Sequence, residues 1–310
     1  MKILITGAAG YIGSVLTPML LAHGHDIVAV DNFMYNQQSL LDCCHDPHLT
    51  IVRGDARNSE LVSQIIKGID FIIPLACIVG APACAKDPTA ARSVNLEAIQ
   101  LILKLRRPDQ KIIFPNTNSG YGLGQAELSC DENSPLRPIS LYGKLKVQAE
   151  KEILENRNSI CFRLATVFGV SPRMRLDLLV NDFVYRALSD RAVILFEAHF
   201  KRNYIHVHDV SRAFIHCIEH FEAMKGLPYN VGLSDANLSK LELCQEIQKQ
   251  VPGFYFHEAP IGEDPDKRNY IVDNSRIEAT GFKPRVSLQA GISELIKSYQ
   301  IVRKNSFTNL

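Results

Sequence analysis

The chain has 310 residues, of which 46% are hydrophobic and 22% charged, and its formal net charge is +1. This composition is ordinary for a globular protein with one large core or two linked ones, and it excludes a disordered or fibrous chain. The near-zero charge gives no electrostatic reason to expect nucleic acid or an acidic membrane surface as a partner. Any recognition of an anion must therefore be local.

The eight cysteines are scattered, apart from the adjacent pair Cys43 and Cys44, and no Cys-x-x-Cys occurs. This pattern argues against a zinc site or a disulfide framework. The N-terminus MKILITGAAG lacks a cationic segment followed by a long apolar stretch, and no later run reaches roughly 18 apolar residues. We therefore expect a reduced, cytoplasmic protein without a membrane span.

Short β-branched runs alternate with longer helical patterns through the first half of the chain. The predicted strands are KILIT, IVAV, TIV, FIIPL, KIIF and ICFRL. The predicted helices between them include residues 87–105 and 140–155. Alternation of this kind is typical of βαβ units, and continuous apolar runs indicate strands buried on both faces. We predict an α/β fold of the Rossmann type, with a doubly wound parallel sheet.

After residue 170 the pattern loosens. It predicts a helix from Leu178 to Leu188, short strands at AVILF and NYIHV, and further helices that begin near Asp209 and Ser239. We expect a smaller C-terminal α/β region at the carboxyl edge of the sheet, where open α/β folds bind their ligands.

The stretch ITGAAGYIG places Gly7, Gly10 and Gly13 between the first predicted strand and the first predicted helix. Glycine permits a tight turn and a close approach of the backbone to a pyrophosphate, while the helix N-terminus supplies N–H groups and a positive dipole end. A glycine triplet alone is a weak signal. Here Asp31 also ends the second predicted strand, and the combination predicts a dinucleotide site.

Asp31 is placed to accept hydrogen bonds from the adenosine ribose, and its charge would repel a 2′-phosphate. The next residues, Asn32 and Phe33, offer no arginine for that phosphate, so NAD is favoured over NADP. The alternative is that Asp31 merely starts a turn. Asp55 follows the third predicted strand and is a candidate for the adenine amino group, or equally for a helix N-terminus.

Tyr142 and Lys146 in YGKLK lie four residues apart, which on a helix puts them on one face. An ammonium group beside a phenol, with a positive nicotinamide ring nearby, favours the phenolate and makes Tyr142 a general base. A lone Tyr-x-x-x-Lys is usually an ordinary helix surface. After a glycine turn and five strands, the pair predicts a catalytic site.

These motifs, together with GDAR, the pair Val94 and Asn95, NYIHVHDV and EDPDKRNYIVD, extend over almost all of the sequence. The chain resembles the extended short-chain dehydrogenase/reductase family, the NAD-dependent sugar-nucleotide epimerases and dehydratases. The resemblance implies an NAD-binding Rossmann domain at 1–170, with some later segments returning to it, and a mainly sugar-nucleotide-binding domain at 171–310. It also implies hydride transfer between sugar C4 and the nicotinamide, and a homodimer or higher homo-oligomer.

By the same resemblance Asn95 and Ala76 line the cofactor site, and Thr117 joins Tyr142 at the C4 hydroxyl. The candidate cofactor contacts are Gly7, Gly10, Tyr11, Ile12, Gly13, Asp31, Asn32, Asp55, Ala56, Leu75, Ala76, Asn95, Tyr142 and Lys146.

The substrate's diphosphate needs local cations, and Arg202 and Arg268 match family positions that hold these phosphates. A guanidinium suits this role because its planar fork binds phosphate oxygens in pairs. The segment SPRMRLDLLVNDF resembles the one that folds over the nucleotide, so Asn181, Arg173 and Arg175 are further candidates.

Two further observations concern Thr166 and a pair of histidines. Family members often have asparagine where this chain has Thr166, which leaves that substrate contact in doubt. His206 and His208 flank one residue, but no third ligand is evident, so no metal is expected.

The stretch PNTNSGYG bears on the reaction. The 4,6-dehydratases of the family carry Thr-Asp-Glu where this chain has Thr117, Asn118 and Ser119, and the nucleotide-sugar decarboxylases place glutamate at Ser119. Elimination needs a base and an acid, and neither asparagine nor serine replaces a carboxyl group in proton transfer. Asn118 and Ser119 are therefore expected only to orient the sugar.

What remains is chemistry at C4, either a 4-epimerase or a dehydrogenase that stops after one hydride transfer. Several stretches, among them IPLACIVGAPAC and IGEDPDKRNY, especially resemble the GDP-D-glycero-α-D-manno-heptose 4-dehydrogenases, which make 4-keto intermediates for capsular heptoses. That resemblance implies a GDP-linked substrate. A nucleotide-binding sensor on a retired enzyme fold is disfavoured, because Tyr142, Lys146 and Thr117 are all present.

Overall fold

The structure, a computed structural model, describes residues 1–122, 129–260 and 269–302. Its strands are β1 (Lys2–Thr6), β2 (Asp26–Asp31), β3 (Leu49–Arg53), β4 (Phe71–Pro74), β5 (Lys111–Thr117), β6 (Ser129–Cys130), β7 (Ser159–Leu164), β8 (Thr166–Phe168), β9 (Ala192–Leu195), β10 (Lys201–His206), β11 (Pro228–Val231), β12 (Asn237–Ser239), β13 (Tyr255–Glu258) and β14 (Ile271–Val272).

The α-helices of the same ranges are α1 (Gly13–Ala22), α2 (Ser59–Ile65), α3 (Ala81–Lys86), α4 (Pro88–Arg92), α5 (Ala98–Leu105), α6 (Leu141–Leu154), α7 (Leu179–Ser189), α8 (Val207–Glu219), α9 (Phe221–Met224), α10 (Lys240–Gln250), α11 (Ser275–Glu278) and α12 (Leu288–Ser298).

Seven parallel strands form the central sheet, in the order β3-β2-β1-β4-β5-β7-β11. The strand order reverses between β1 and β4, and open α/β sheets hold their ligands in the crevice outside such a point. The predicted Rossmann-type sheet is confirmed.

Both faces of this sheet are buried, which explains why its strands read as continuous apolar runs. In β1, Ile3 and Ile5 pack into one hydrophobic cluster, whereas Leu4 between them packs into a second cluster on the opposite face. Each of these three side chains is fully buried. The alternation follows from the two-residue period of a strand.

The helix predicted over residues 87–105 is interrupted. The structure has α4, then a π-helical turn at Ser93–Glu97, then α5. π-turns inside helices are frequent at functional sites, and this one carries the buried Asn95. The helix predicted over 140–155 is α6, which begins after Ser140, whose hydroxyl accepts a hydrogen bond from the Gly143 N–H at 3.1 Å.

The elements predicted after residue 170 are confirmed within a few residues as α7, β9, β10, α8 and α10. A separate hydrophobic cluster lies among α7, α10 and α12, with Val184, Leu243 and Leu295 at its centre, each fully buried. β11 returns to the central sheet beside β7, and β10 pairs with both β8 and β12.

All eight cysteines are free thiols. In the described ranges, no helix combines the length and the apolar character that crossing a bilayer requires.

A buried ion pair joins α6 to the sheet. Arg163 on β7 donates to the carboxylate of Glu150 on α6, with its Nη2 2.6 Å from Oε1, and the two side chains are only 6% and 4% exposed. Asn116 on β5 donates to the same carboxylate. The Arg163 Nη1 also donates to the Tyr121 hydroxyl at 3.0 Å. One buried carboxylate therefore connects a helix with two neighbouring strands.

Replacing Arg163 by methionine should lower the free energy of unfolding by about 3–5 kcal/mol, because the Glu150 carboxylate would stay buried without its counter-charge. The matched control is Arg107→Met, which removes an arginine from the exposed pair with Asp109 and should change stability little. Urea unfolding curves of both variants give the comparison. Equal midpoints for the two variants would contradict the stabilising role of the buried pair.

Candidate active site

One large cavity, about 640 Å³ in volume, runs along the carboxyl edge of the central sheet. The sequence-predicted residues on its wall are Gly7, Gly10, Tyr11, Ile12, Gly13, Asp31, Asn32, Asp55, Ala56, Leu75, Ala76, Thr117, Ser119, Tyr142, Lys146, Thr166, Arg173, Arg175 and Arg202. The structure thus brings most of the candidates to one surface. Arg268 lies outside the described residues.

The glycine turn has little room for side chains. Gly7 has φ +71°, and a Cβ there would lie 2.6 Å from the backbone nitrogen of Ala76. A Cβ at Gly13 would lie 2.5 Å from the carbonyl oxygen of Ala8. α1 begins at Gly13, and no side chain caps its N-terminus. The positive end of the helix dipole therefore lies at the cavity wall with no side chain bound to its first N–H groups. This arrangement fits the pyrophosphate of a dinucleotide.

Asp31 is held at the cavity wall by the protein itself. Its Oδ2 accepts from the Ala9 N–H at 3.0 Å, and its Oδ1 accepts from the Phe33 N–H at 2.8 Å and from Gln37 Nε2 at 3.1 Å. Burial raises the pKa of Asp31 above its usual value, against the effect of these hydrogen bonds. The carboxylate is therefore fixed in one orientation before a ribose arrives.

Asp55 is paired with a neighbour in sequence. Arg57 donates through Nε to Oδ1 at 2.9 Å and through Nη2 to Oδ2 at 2.6 Å. These hydrogen bonds lower the pKa of the Asp55 carboxyl. Both residues line the cavity, so the carboxylate stays charged at its wall.

Asn95 lies behind the wall rather than on it. Its side chain is 2% exposed, accepts from the Ile78 N–H at 2.8 Å and donates to the Ile78 carbonyl at 2.9 Å. Residues 75–83, which do line the cavity, are thereby held in place. Asn95 therefore supports the cavity wall indirectly, through its hydrogen bonds to Ile78.

Tyr142 and Lys146 reach the cavity from α6, and Thr117 reaches it from the end of β5. Lys146 is 4% exposed; its ammonium group donates to the Pro115 carbonyl and lies 3.9 Å from the centroid of the Phe114 ring. Burial lowers the pKa of Lys146 below that of a free lysine. The three catalytic candidates thus share one wall.

The end of β5 presents hydroxyl groups to the cavity. The Thr117 Oγ1 lies 2.9 Å from the Ser119 Oγ and accepts from the Ser119 N–H at 3.1 Å. Asn118, by contrast, is 1% exposed and does not line the cavity, and its amide finds no hydrogen-bond partner in the described part of the chain. Of the two residues expected to orient the sugar, only Ser119 lies on the wall.

The arginines at the cavity occupy different places. Arg202 on β10 is 2% exposed and donates to the Lys201 carbonyl at 3.0 Å. Arg175 forms an ion pair with Asp177. Burial acts to raise the pKa of the Asp177 carboxyl, but the hydrogen bonds and the charge of Arg175 have the larger effect, so the pKa is lowered. Arg173 lies over the Tyr35 ring, 4.8 Å from its centroid.

Tyr35 and Arg173 both line the cavity, and the charge of Arg173 acts on the Asp31 carboxyl. The expected contact of Arg173 with the substrate stays a prediction.

Asn181 does not reach the cavity either. It is fully buried; its Oδ1 accepts from the Gly169 N–H at 3.0 Å, and its Nδ2 donates to the Arg175 carbonyl at 2.9 Å. Tyr11 donates to the Gly169 carbonyl at 2.7 Å. Asn181 thus braces the backbone that carries Arg175 instead of presenting its amide to a substrate.

His206 has a structural partner. Its Nε2 lies 2.6 Å from the Glu294 Oε2, and the side chain is 1% exposed. In residues 1–122, 129–260 and 269–302, no cluster of three or more histidine, cysteine or acidic side chains is arranged to hold a metal ion.

The sequence analysis missed Lys240, Asp177 and Asp182, which also line the cavity. Lys240 gives no local signal, because it is simply the first residue of α10 after its serine cap. The antiparallel pairing of β10 with β12 puts Arg202 opposite Leu238. This tertiary pairing, which the sequence does not display, brings β12 and the start of α10 alongside the strand that carries Arg202.

A parallel sheet with a glycine turn at its switch point and a Tyr–Lys pair at the same cavity defines an NAD-dependent enzyme of the Rossmann class. A sequence profile of the NAD dependent epimerase/dehydratase family matches residues 3–232. The chain belongs to that family, whose members act with NAD on sugar nucleotides.

Individual relatives are distant. A Bacillus subtilis protein described as an uncharacterized UDP-glucose epimerase, YtcB, is 27% identical over 323 aligned residues, covering 96% of this chain and 97% of that protein. The crystal structure of UDP-glucose 4-epimerase with UDP-glucose from Thermotoga maritima covers 97% of this chain and 99% of its own, with a TM-score of 0.83 at 22% identity.

A third similar structure is the dTDP-glucose 4,6-dehydratase DesIV of Streptomyces venezuelae with NAD bound, which has a TM-score of 0.84 at 23% identity and covers 97% of each chain. At these identities the structural likeness establishes the shared fold.

Replacing Asp31 by asparagine should lower the preference for NAD over NADP about tenfold or more, since one charge that repels a 2′-phosphate is removed. Dissociation constants of both coenzymes, measured by fluorescence titration, give this ratio. Asp42→Asn, on an exposed turn, is the control and should leave the ratio unchanged. An unchanged ratio in the Asp31 variant would remove the basis for the assigned ribose contact.

Proposed function

We propose that this enzyme oxidises C4 of a GDP-heptose with NAD, giving a 4-keto sugar nucleotide for capsule or other surface polysaccharide synthesis in the cytoplasm. In this proposal residues 1–170, with later segments such as β11, hold NAD, and residues 171–310 mainly hold the sugar nucleotide. The enzyme works as a homodimer or a higher homo-oligomer.

The observation that carries the proposal is the Ser119 hydroxyl, 2.9 Å from the Thr117 hydroxyl at the cavity wall. Loss of water from the sugar requires proton transfer by a carboxyl group at this point. Among the described residues on the wall, the carboxylates are Asp31, Asp55, Asp177 and Asp182, and none of them belongs to β5. The wall thus supports oxidation at C4 rather than elimination.

In this mechanism Tyr142, as phenolate, takes the proton of the C4 hydroxyl while the hydrogen on C4 leaves as hydride, so that the C–O bond becomes a carbonyl. Bound NAD supplies the hydride acceptor. Lys146 stabilises the phenolate with its buried charge, and Thr117 orients the hydroxyl. If the reduced coenzyme stays bound, a second carbonyl compound must reoxidise it.

Charge supports the placement of the diphosphate. Arg202 and Lys240 are 2% and 5% exposed, and both line the cavity. Buried cations of this kind suit phosphate oxygens, because hydrogen bonds and opposite charge from the phosphate compensate the cations for the loss of water. We assign the diphosphate to this end of the cavity, with Arg175 as a further candidate contact and Thr166 as a contact to the sugar. Arg268 remains a candidate on sequence alone.

A 4-epimerase is the second candidate function. The Bacillus subtilis and Thermotoga maritima relatives described as UDP-glucose epimerases favour it. The same groups at the cavity would serve both reactions, because an epimerase performs the same oxidation, turns the ketone and returns the hydride.

Product analysis separates the two functions. The enzyme is incubated with NAD and a panel of UDP, dTDP and GDP sugars. With a GDP sugar, we expect the absorbance of NADH to appear and the product to be lighter than the substrate by two hydrogens. An isomer of unchanged mass would establish the epimerase instead. Loss of water would refute both functions.

Tyr142→Phe should reduce turnover about 100-fold or more, because a general base contributes at least that factor, while NAD binding is kept. Single-turnover NADH formation and NAD titration measure the two properties. Tyr185→Phe is the control, since this tyrosine packs edge-on against Tyr299 at 5.4 Å, and it should turn over normally. Unchanged turnover in the Tyr142 variant would exclude this residue as the base.

A further inference from the structure

Two cysteines lie at the ends of a segment that forms part of the cofactor cavity. Cys77 is partly exposed and lines the cavity, whereas Cys84, on α3, is fully buried and does not line it. The residues between them, 78–83, are on the cavity wall as well. Nothing in the proposed chemistry at C4 uses either thiol.

Both thiols donate to the same atom. The Sγ atoms of Cys77 and Cys84 lie 3.5 Å and 3.2 Å from the carbonyl oxygen of Ile78, so the two sulfurs are within about 7 Å of each other. A disulfide needs an S–S distance of about 2.05 Å, and the chain between the thiols has to bend further to reach it. That chain contains Gly80, at φ +97°. A Cβ at Gly80 would meet only the Pro82 ring, at 3.9 Å, among the described residues, so the bend has space around it.

The surroundings of the two thiols differ. Burial raises the pKa of Cys77, but the charges of Lys146 and Arg175 act in the opposite direction. Burial raises the pKa of Cys84 to about 11. Reactive cysteines are typically partly exposed and close to cations, because the thiolate is the nucleophile. Cys77 is therefore the thiol that a small oxidant in the cavity meets first, and Cys84 is the second thiol near it.

The wall between the two thiols touches the glycine turn. A Cβ at Gly7 would lie 2.6 Å from the backbone nitrogen of Ala76, so the wall has no room to move inward at this point. Asn95 donates to the Ile78 carbonyl at 2.9 Å, and its Nδ2 lies 3.6 Å from the Cys84 sulfur. A bond between the sulfurs would take both S–H donors from the Ile78 carbonyl and move at least one sulfur. The contacts that hold this wall against the turn would then change.

We propose that Cys77 and Cys84 form a reversible disulfide when hydrogen peroxide enters the cavity, and that this bond weakens the binding of NAD. The sulfur of Cys77 attacks one oxygen of the peroxide. The O–O bond breaks, one water leaves, and the cysteine becomes a sulfenic acid. The sulfur of Cys84 then displaces the sulfenic hydroxyl, which leaves with the Cys84 proton as a second water.

Two thiols and one hydrogen peroxide thus give one disulfide and two waters, and the two electrons lost by the sulfurs reduce the peroxide. A thiol reductant reverses the bond by exchange. The disulfide acts on the coenzyme, so its effect does not depend on which sugar nucleotide is bound. Oxidation at C4 and epimerisation both begin with hydride transfer to NAD, and the disulfide would slow either one.

Oxidation of the full-length protein with hydrogen peroxide tests the proposal. Mass spectrometry should show an intact mass lower by two hydrogens, and a peptide map should show the Cys77–Cys84 link. The dissociation constant of NAD, measured by fluorescence titration, should rise at least about tenfold. Dithiothreitol should return it to its value before oxidation.

Cys84→Ser keeps a donor for the Ile78 carbonyl but cannot form the bond, so this variant should keep its affinity for NAD after peroxide. Cys77→Ser gives the same comparison at a partly exposed position, where a substitution disturbs the core less. Cys44→Ser, which removes an exposed thiol, is the matched control and should respond as the wild type does.

A peptide map of the oxidised wild type without the Cys77–Cys84 link overturns the proposal. The same NAD dissociation constant in the linked and the reduced protein overturns the effect on the coenzyme. A loss of NAD affinity in both serine variants after peroxide would assign the effect to another oxidation and overturn the role of the disulfide.

Discussion

The geometry of the reaction centre depends on the buried carboxylate of Glu150. This residue lies one helical turn after Lys146 and two turns after Tyr142 on α6, and it binds Asn116, the residue directly before Thr117. The Asn116–Glu150 hydrogen bond, together with the one from Lys146 to the Pro115 carbonyl, thus joins α6 to β5. Arg163 balances the charge from β7, and removal of either partner leaves an isolated buried ion. The Glu150 carboxylate thus helps to hold the helix of Tyr142 against the strand of Thr117.

The same helix carries Lys146, which is 4% exposed. Burial lowers the pKa of Lys146, so the ammonium needs favourable contacts, and it has the Pro115 carbonyl, the Phe114 ring and the Glu150 carboxylate four residues further on. Carbonyl, ring and carboxylate all stabilise a cation. These surroundings offset part of the cost of burying the Lys146 ammonium, which shares the cavity wall with the Tyr142 phenol.

The sequence predicted the features that short segments determine. The turn at Gly7, the carboxylate at Asp31 and the helix of Tyr142 each depend on a few neighbouring residues, so their patterns are local. Asn181 and Lys240 differ, because their positions depend on partners distant in the chain. The Asn181 amide accepts from the Gly169 N–H, and the Lys240 ammonium donates to the Phe196 carbonyl. A polar residue in a family motif does not reveal whether its side chain faces a ligand or a neighbouring strand.

In the proposed function, the chemistry and the substrate choice belong to separate parts of the chain. Any family reaction that begins with oxidation at C4 needs the base, the threonine and the coenzyme, so the sheet half can be shared while the fates of the ketone differ. In the proposed function, the hydroxyl groups at the end of β5 provide no acid for elimination, so the ketone is either released or turned and reduced again. Turning requires the sugar to rotate while the nucleotide stays anchored. Under that proposal the outcome depends on whether the whole sugar nucleotide is released before its sugar rotates.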